Sequence, residues 1–171
     1  MKKKLIILTG PTAVGKTDLS IRLARTVGGE IISADSMQVY RRMDIGTAKI
    51  RPEEMDGVRH HLIDILEPTE SFNAFLFKEY ALKAANEIWE RGSIPIIVGG
   101  TGFYIQTLLY DIEFAKSDEN DGIRDELNKL YEEHGAAFLH DMLAKADPEY
   151  AAEVHENNVK RVIRALEFYK K

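Results

Sequence analysis

A chain of 171 residues, 44% hydrophobic and 30% charged, is long enough for one full-sized domain with its own core and a small appendage. Its formal net charge of −5 argues against a generic nucleic-acid binder, which would carry a basic domain, but leaves room for a local basic surface. The absence of cysteine excludes disulfide staples and thiolate chemistry and fits a reducing, cytoplasmic setting.

The opening "MKKKLIILTG" has a basic head, but its apolar run at 5–8 is too short for a secretory signal. No apolar stretch approaches bilayer length, so no membrane association is expected. Residues 4–8 read as a buried strand, and 17–27 as a helix with Leu19, Leu23, Ala24 and Val27 at helical spacing. Between them stands "GPTAVGKT" (10–17), which satisfies G-x-x-x-x-G-K-[ST] in the strand-to-helix setting that such a loop requires. Glycines let backbone N–H groups turn inward around a phosphate. The helix N-terminus adds partial positive charge, Lys16 a full one, and the Thr17 hydroxyl can ligate Mg²⁺.

"EIISAD" (30–35) is a second strand that ends in Asp35, and "HHLIDIL" (60–66) reads as a third. Ser71 is the expected cap of a long helix over 72–90, with Phe72, Phe75, Leu76, Tyr80, Ala84 and Ile88 near one face. "IPIIVGGTG" (94–102) is a strand running into a glycine turn, and "FYIQTLLY" a short helix. Strands alternating with helices imply a parallel sheet covered on both faces, an α/β fold of the P-loop kind. From Asp111 the pattern becomes acidic and then wholly helical. The expected organisation is an α/β core over 1–112, a helical insertion over 113–156, and a last helix over 157–171 returning to the core.

Ligands of open parallel sheets bind at the carboxyl ends of the strands, where Asp35 and the 99–102 turn fall. Asp35 has three readings there: metal ligand, proton acceptor, or plain turn cap with Ser36. Metal-dependent phosphoryl transfer ordinarily adds an apolar strand ending in Asp, whereas "IPIIV" ends in Gly99-Gly100-Thr101-Gly102. Adjacent histidines on a strand point to opposite faces, so His60 and His61 are expected to pack or hydrogen-bond rather than share a metal. Trp89, Phe72 and Phe75 are expected in the core. Tyr40 and Tyr104 flank the motifs and are left open. Arg41, Arg42, Lys49, Arg51 and Arg59, and the group Lys160, Arg161, Arg164, Lys170 and Lys171, read on charge alone as solvated faces.

"GPTAVGKT", "SADSMQVYR", "DIGTAKI", "HHLIDI", "VGGTGFYIQTLL" and "NNVKRVIRALE" occur in the same order in tRNA dimethylallyltransferases, which prenylate the adenine next to the anticodon. The chain resembles this family from Lys4 to Tyr169. It departs from it in Val14, where the family commonly has Ser, and in Glu156 of "HEN", where "HPN" is usual. The family chain also continues well beyond "RALE", so a further C-terminal part is expected outside these residues.

The resemblance implies that Gly10, Pro11, Thr12, Ala13, Val14, Gly15, Lys16 and Thr17 hold the diphosphate of dimethylallyl diphosphate, with Mg²⁺ on Thr17. It implies that Asp35 is the general base for the adenine amine and that Thr101 hydrogen-bonds near the bridging oxygen, with Lys16 stabilising the leaving group. It gives the tRNA contacts to Asp35, Ser36, Met37, Gln38, Thr101, Arg124, Lys160, Arg161 and Arg164, and the anticodon stem-loop to the helical insertion. A monomer is the default expectation. An adenylate isopentenyltransferase, a P-loop small-molecule kinase and a non-catalytic diphosphate- or nucleotide-binding fragment are the alternatives.

Overall fold

The computed structural model describes residues 3–112 and 122–170. The chain forms two compact units, Met1–Phe114 and Ala115–Lys171. In the first, four parallel strands stand in the order β1-β4-β2-β3: β1 (Ile6–Thr9), β2 (Gly29–Ser33), β3 (His60–His61) and β4 (Ile94–Gly99). Helices α1 (Lys16–Val27), α2 (Ala74–Glu90) and α3 (Gly102–Leu109) accompany them. The parallel sheet with flanking helices is the fold class that the alternation of elements predicts.

Consecutive isoleucines explain why both faces are covered. Side chains alternate across a strand, so Ile31 and Ile96 join Ile21, Ala24, Ile50 and Val58 on the α1 side. Ile32 and Ile97 join Phe77, Ala81, Ala85, Ile88 and Ile105 on the α2 and α3 side. Phe77 is fully buried and stacks on Tyr104 with ring centroids 4.6 Å apart.

Three local expectations are corrected. The third strand is two residues long, not seven, because Leu62 (φ 61°) and Asp64 (φ 54°) turn the backbone out of the sheet. The cap of α2 is Asn73, whose side chain accepts from Leu76 N at 3.0 Å, rather than Ser71. The buried face of α2 is accordingly Ala74, Phe77, Ala81, Ala84, Ala85 and Ile88, and Phe75 is 49% exposed instead of core. Phe72 and Trp89 pack against the core as expected, and the Trp89 indole donates to Lys4 O at 2.7 Å.

The second unit is helical: α4 (Ile123–Ala146), α5 (Pro148–Glu153) and α6 (Val159–Lys170). Gly135 (φ 83°, ψ 179°) breaks α4, where the sequence pattern divides it at "EEHG". Asp147 caps α5 by accepting from Tyr150 N at 2.9 Å, with Pro148 in the first turn. Leu127, Leu139, Leu143, Val162, Ile163 and Leu166 form its core. The apolar face of the expected 157–171 helix is thus occupied within this unit. The 113–121 stretch of the predicted acidic linker lies outside the described residues, as do Met1, Lys2 and Lys171. Among the described residues no helix is long and apolar enough to cross a membrane.

Candidate functional site

The 10–15 loop leaves β1 at Thr9 and enters α1 at Lys16. Two residues take left-handed backbone, Ala13 (φ 64°) and Gly15 (φ 79°), which curls the loop over the helix end. Gly15 offers no side-chain cap, so the first-turn N–H groups of α1 are left without a side-chain acceptor, with the helix's partial positive charge behind them. The Lys16 ammonium folds back to donate to Pro11 O at 2.5 Å, which places a full positive charge against the loop. Thr17 follows in the same turn. Among the described residues no cluster of His, Cys, Asp and Glu could hold a metal by itself. One protein hydroxyl together with ligand phosphate oxygens fits Mg²⁺, a cation that keeps most of its water.

Sheet order brings the next two motifs beside this loop. Thr9 pairs with Gly99 and Ser33 with Val98, so β4 lies between the phosphate loop and the end of β2. At Gly99 the backbones of β4 and β2 touch: a Cβ there would lie 2.2 Å from Ala34 O. Ala34 N donates to Val98 O at 2.8 Å, and Thr101 N donates back to Ala34 O at 3.3 Å. A Cβ on Gly100 would stand 3.6 Å from Gly10 O. Gly10, Thr101 and the residue before Asp35 therefore meet at the carboxyl ends of the strands, where open α/β sheets bind ligands.

Asp35 is half-buried, and its Oδ1 accepts from Met37 N at 2.8 Å and Gln38 N at 3.2 Å. The turn-cap reading is therefore present, on one oxygen, while Oδ2 accepts from none of the described residues. The Asp35 charge is felt by Tyr104, whose phenol is pushed up mainly by burial, then by Tyr40 and Asp35. Both open tyrosines thus belong to this neighbourhood. Met37 is 41% exposed and Ser36 half-buried. Gln38 turns inward, donating to Thr47 O at 3.2 Å and accepting from Ser33 Oγ at 3.2 Å. A cavity of about 40 Å³ lined by Thr17, Ser33, Gln38 and His60 joins the phosphate helix to this segment.

Sequence reasoning missed Lys49. Grouped by charge with Arg41, Arg42, Arg51 and Arg59, it is expected on a solvated face, yet its side chain is 4% exposed. Burial alone would push its ammonium down, but the Asp44 and Asp64 carboxylates outweigh that and hold it above the ordinary lysine value. Only its place inside "DIGTAKI" could have separated it from its exposed neighbours, two of which, Arg41 and Arg42, pair with Glu67. The histidines behave as expected: His60 Nδ1 meets Val58 O at 2.9 Å, and His61 Nε2 meets Glu30 Oε2 at 2.7 Å. A larger concavity of about 430 Å³, lined by Arg25, Glu30, Asp56 and Arg59, opens at the other end of β2. Its charges are engaged with one another, as in the Arg25–Asp56 pair.

The remaining candidates belong to the second unit. Arg124 is committed to Glu167 Oε2 at 2.6 Å. Lys160, Arg161 and Arg164 are exposed on α6, opposite the buried Val162, Ile163 and Leu166, and form no ion pair among the described residues. The structure thus groups 10–17, 35–38 and Thr101 in the first unit and the four basic candidates in the second.

Residues 38–171 match the family model described as IPP transferase. The chain belongs to the IPP transferase family. It is 60% identical over 166 residues to a tRNA dimethylallyltransferase of Lachnoclostridium phytofermentans, covering 97% of this chain and 53% of that one. A tRNA dimethylallyltransferase of Geobacillus thermodenitrificans is 53% identical over 169 residues, covering 99% and 54%. Among solved structures, a full-length tRNA isopentenylpyrophosphate transferase from Bacillus halodurans matches at 51% identity and TM-score 0.67, over 99% of this chain and 56% of that one. A eukaryotic dimethylallyltransferase described as acting on tRNA matches with TM-score 0.83 at 38% identity, over 98% and 42%. The chain spans about half the length of these family relatives. The family model begins at Gln38, so the phosphate loop and Asp35 stand on the longer relatives and on geometry.

Proposed function

We propose that the protein transfers a dimethylallyl group from dimethylallyl diphosphate to N6 of the adenine beside the anticodon of tRNA. The observation that carries this reading is the meeting of the phosphate loop, the Ala34–Asp35 strand end and Thr101 across β4. In this reading residues 10–17 hold a departing diphosphate, and carbon rather than phosphorus is attacked. The allylic C–O bond breaks with its electron pair leaving on diphosphate, while Lys16 and the first-turn amides of α1 meet the negative charge as it develops. Mg²⁺, when bound at Thr17, would supply further neutralisation of that leaving group. Thr101 stands on the diphosphate side of the site and donates a hydrogen bond near the bridging oxygen. The adenine amine forms the new C–N bond, and its proton passes to Asp35, on the carboxylate oxygen that the turn leaves unused.

Reaching an adenine in a loop requires taking it out of the stack. Ser36, Met37 and Gln38 line its path in this reading, with Met37 the most accessible. Lys160, Arg161 and Arg164 offer unpaired charge to the phosphates of an anticodon stem-loop, and Arg124 joins them once released from Glu167. A cytoplasmic monomer that meets tRNA and the prenyl donor in a reducing compartment fits the cysteine-free sequence.

The test is incubation of the protein with dimethylallyl diphosphate, Mg²⁺ and an anticodon stem-loop, followed by mass analysis of the nucleosides. The expected product is prenylated adenosine together with released pyrophosphate. Phosphate transfer from ATP to a small molecule would instead reverse the assignment to a kinase. Prenylation of free adenine nucleotide with the stem-loop left unmodified would favour the adenylate enzyme. Diphosphate binding without turnover would instead favour the non-catalytic alternative.

A further inference from the structure

The segment between β2 and α2 carries Asp35 to Gln38, yet its regular structure is one 3-10 turn, Pro52–Met55, and the two residues of β3. It holds five non-glycine residues in left-handed backbone, Arg42, Ala48, Asp56, Leu62 and Asp64, at φ between 46° and 64°. Such conformations persist only where the surroundings over-determine them. The buried Lys49 ammonium sits among these strained positions and spends one hydrogen on each of three segments. It donates to Tyr40 O at 2.6 Å, Asp44 Oδ1 at 2.7 Å and Asp64 Oδ1 at 2.5 Å. With three donors used on three acceptors, it has none for a phosphate, unlike Lys16.

From Lys49 the bonds run without interruption to the site. The Asp44 carbonyl accepts from Lys49 N at 3.1 Å and from Thr47 Oγ1 at 3.3 Å. Thr47 O accepts from Gln38 Nε2 at 3.2 Å, and Gln38 N donates to Asp35 Oδ1 at 3.2 Å. Ser33 Oγ holds the other end of the Gln38 amide, anchoring it to β2.

We infer that Lys49 is a positioning residue for the acceptor side of the site: by tying the Tyr40 carbonyl to the Asp44 and Asp64 carboxylates it seats Gln38, and through Gln38 the Asp35 turn. The inference deepens the prenyl-transfer reading and rests on it for the identity of the acceptor. It also separates the two lysines by role, with Lys16 acting on the leaving group and Lys49 on the geometry opposite it.

The experiment compares the protein with Lys49→Met by amide hydrogen exchange in NMR, pyrophosphate titration and prenyl-transfer kinetics. Exchange at Met37, Gln38 and the Gln38 side-chain amide should quicken about tenfold while Ile96 and Ile97 keep their protection, which a uniformly destabilising role would not produce. Pyrophosphate affinity should stay within about twofold, and kcat should fall about 100-fold with the KM for the donor unchanged. If Lys49→Met loosens the whole unit, Asp44→Ala replaces it, since Asp44 is 63% exposed and its truncation removes a single acceptor. It should give the same local pattern at smaller amplitude. Unchanged exchange at 37 and 38 in whichever variant folds would overturn the inference. A failure of the unaltered protein to transfer prenyl groups would count against the functional reading alone, because the exchange pattern is measured without substrate.

Discussion

Gly99→Ala tests the close approach that puts Thr101 beside the end of β2. The added Cβ would lie 2.2 Å from Ala34 O and 2.5 Å from Ala34 C, atoms of a neighbouring strand that cannot rotate away. Relief requires β4 and β2 to separate where Ala34 N meets Val98 O at 2.8 Å and Thr101 N meets Ala34 O at 3.3 Å. Each of these two bonds is worth about 1 kcal/mol net, and overpacking a tight interior adds about 1–3 kcal/mol, so a loss of ~3–5 kcal/mol is expected. Urea unfolding with a constant m-value measures it, and Gly102→Ala is the control, since a Cβ there meets nothing within 4 Å. The same separation moves Thr101 from Asp35, so transfer should fall further than stability alone explains. A Gly99→Ala protein within ~0.5 kcal/mol of the unaltered one would refute the close-approach reasoning, since that is the range of ordinary surface substitutions.

Lys16→Ala should weaken pyrophosphate binding about 10- to 100-fold by calorimetry, as expected for removing one charged hydrogen-bond donor, with the unfolding midpoint unmoved. Asp35→Asn should leave that binding intact and lower kcat about 10²- to 10⁴-fold, as loss of a general base does. Stability should fall in two steps on acidification. Burial holds His60 below its ordinary 6.5, so its contribution is complete above pH 6.5 and is lost as pH drops toward its lowered value. The Arg91 bond, aided by His61 against the opposing effect of burial, holds Glu30 below 4.5, so its share survives to that pH and is lost beneath it. Urea midpoints across pH measure both, and a flat profile from pH 7 down to 4.5 would contradict the His60 assignment. The double variant Arg161→Ala/Arg164→Ala should bind an anticodon stem-loop more weakly, with the slope of log affinity against log salt reduced by roughly 0.7–0.9 for each phosphate no longer neutralised.

Motifs whose geometry is set within a few residues were legible in the chain. The phosphate loop is one: Gly15 needs left-handed backbone, Lys16 and Thr17 open the helix, and the adjoining apolar run supplies the strand. The consecutive isoleucines of β2 and β4 likewise announce strands covered on both faces. Features that depend on partners distant in sequence were not legible. Phe75 and Phe77 are equally apolar, and only the rotation of α2 on the sheet buries Phe77 at 0% exposure and leaves Phe75 at 49%. Ser71 and Asn73 are equally plausible caps until the chain direction out of the loop selects Asn73.

Lys49 marks the boundary most sharply. Its charge suits a solvated surface, and nothing in its immediate neighbours announces that Asp64, fifteen residues away, will close over it. Sequence alone determined which short runs to read together, because the G-x-x-x-x-G-K-T pattern, the stretch around Asp35 and the glycine turn at 99–102 each fold locally. Tertiary structure decided how those runs face one another, because the meeting of Gly10, Ala34 and Thr101 exists only when β4 inserts between β1 and β2.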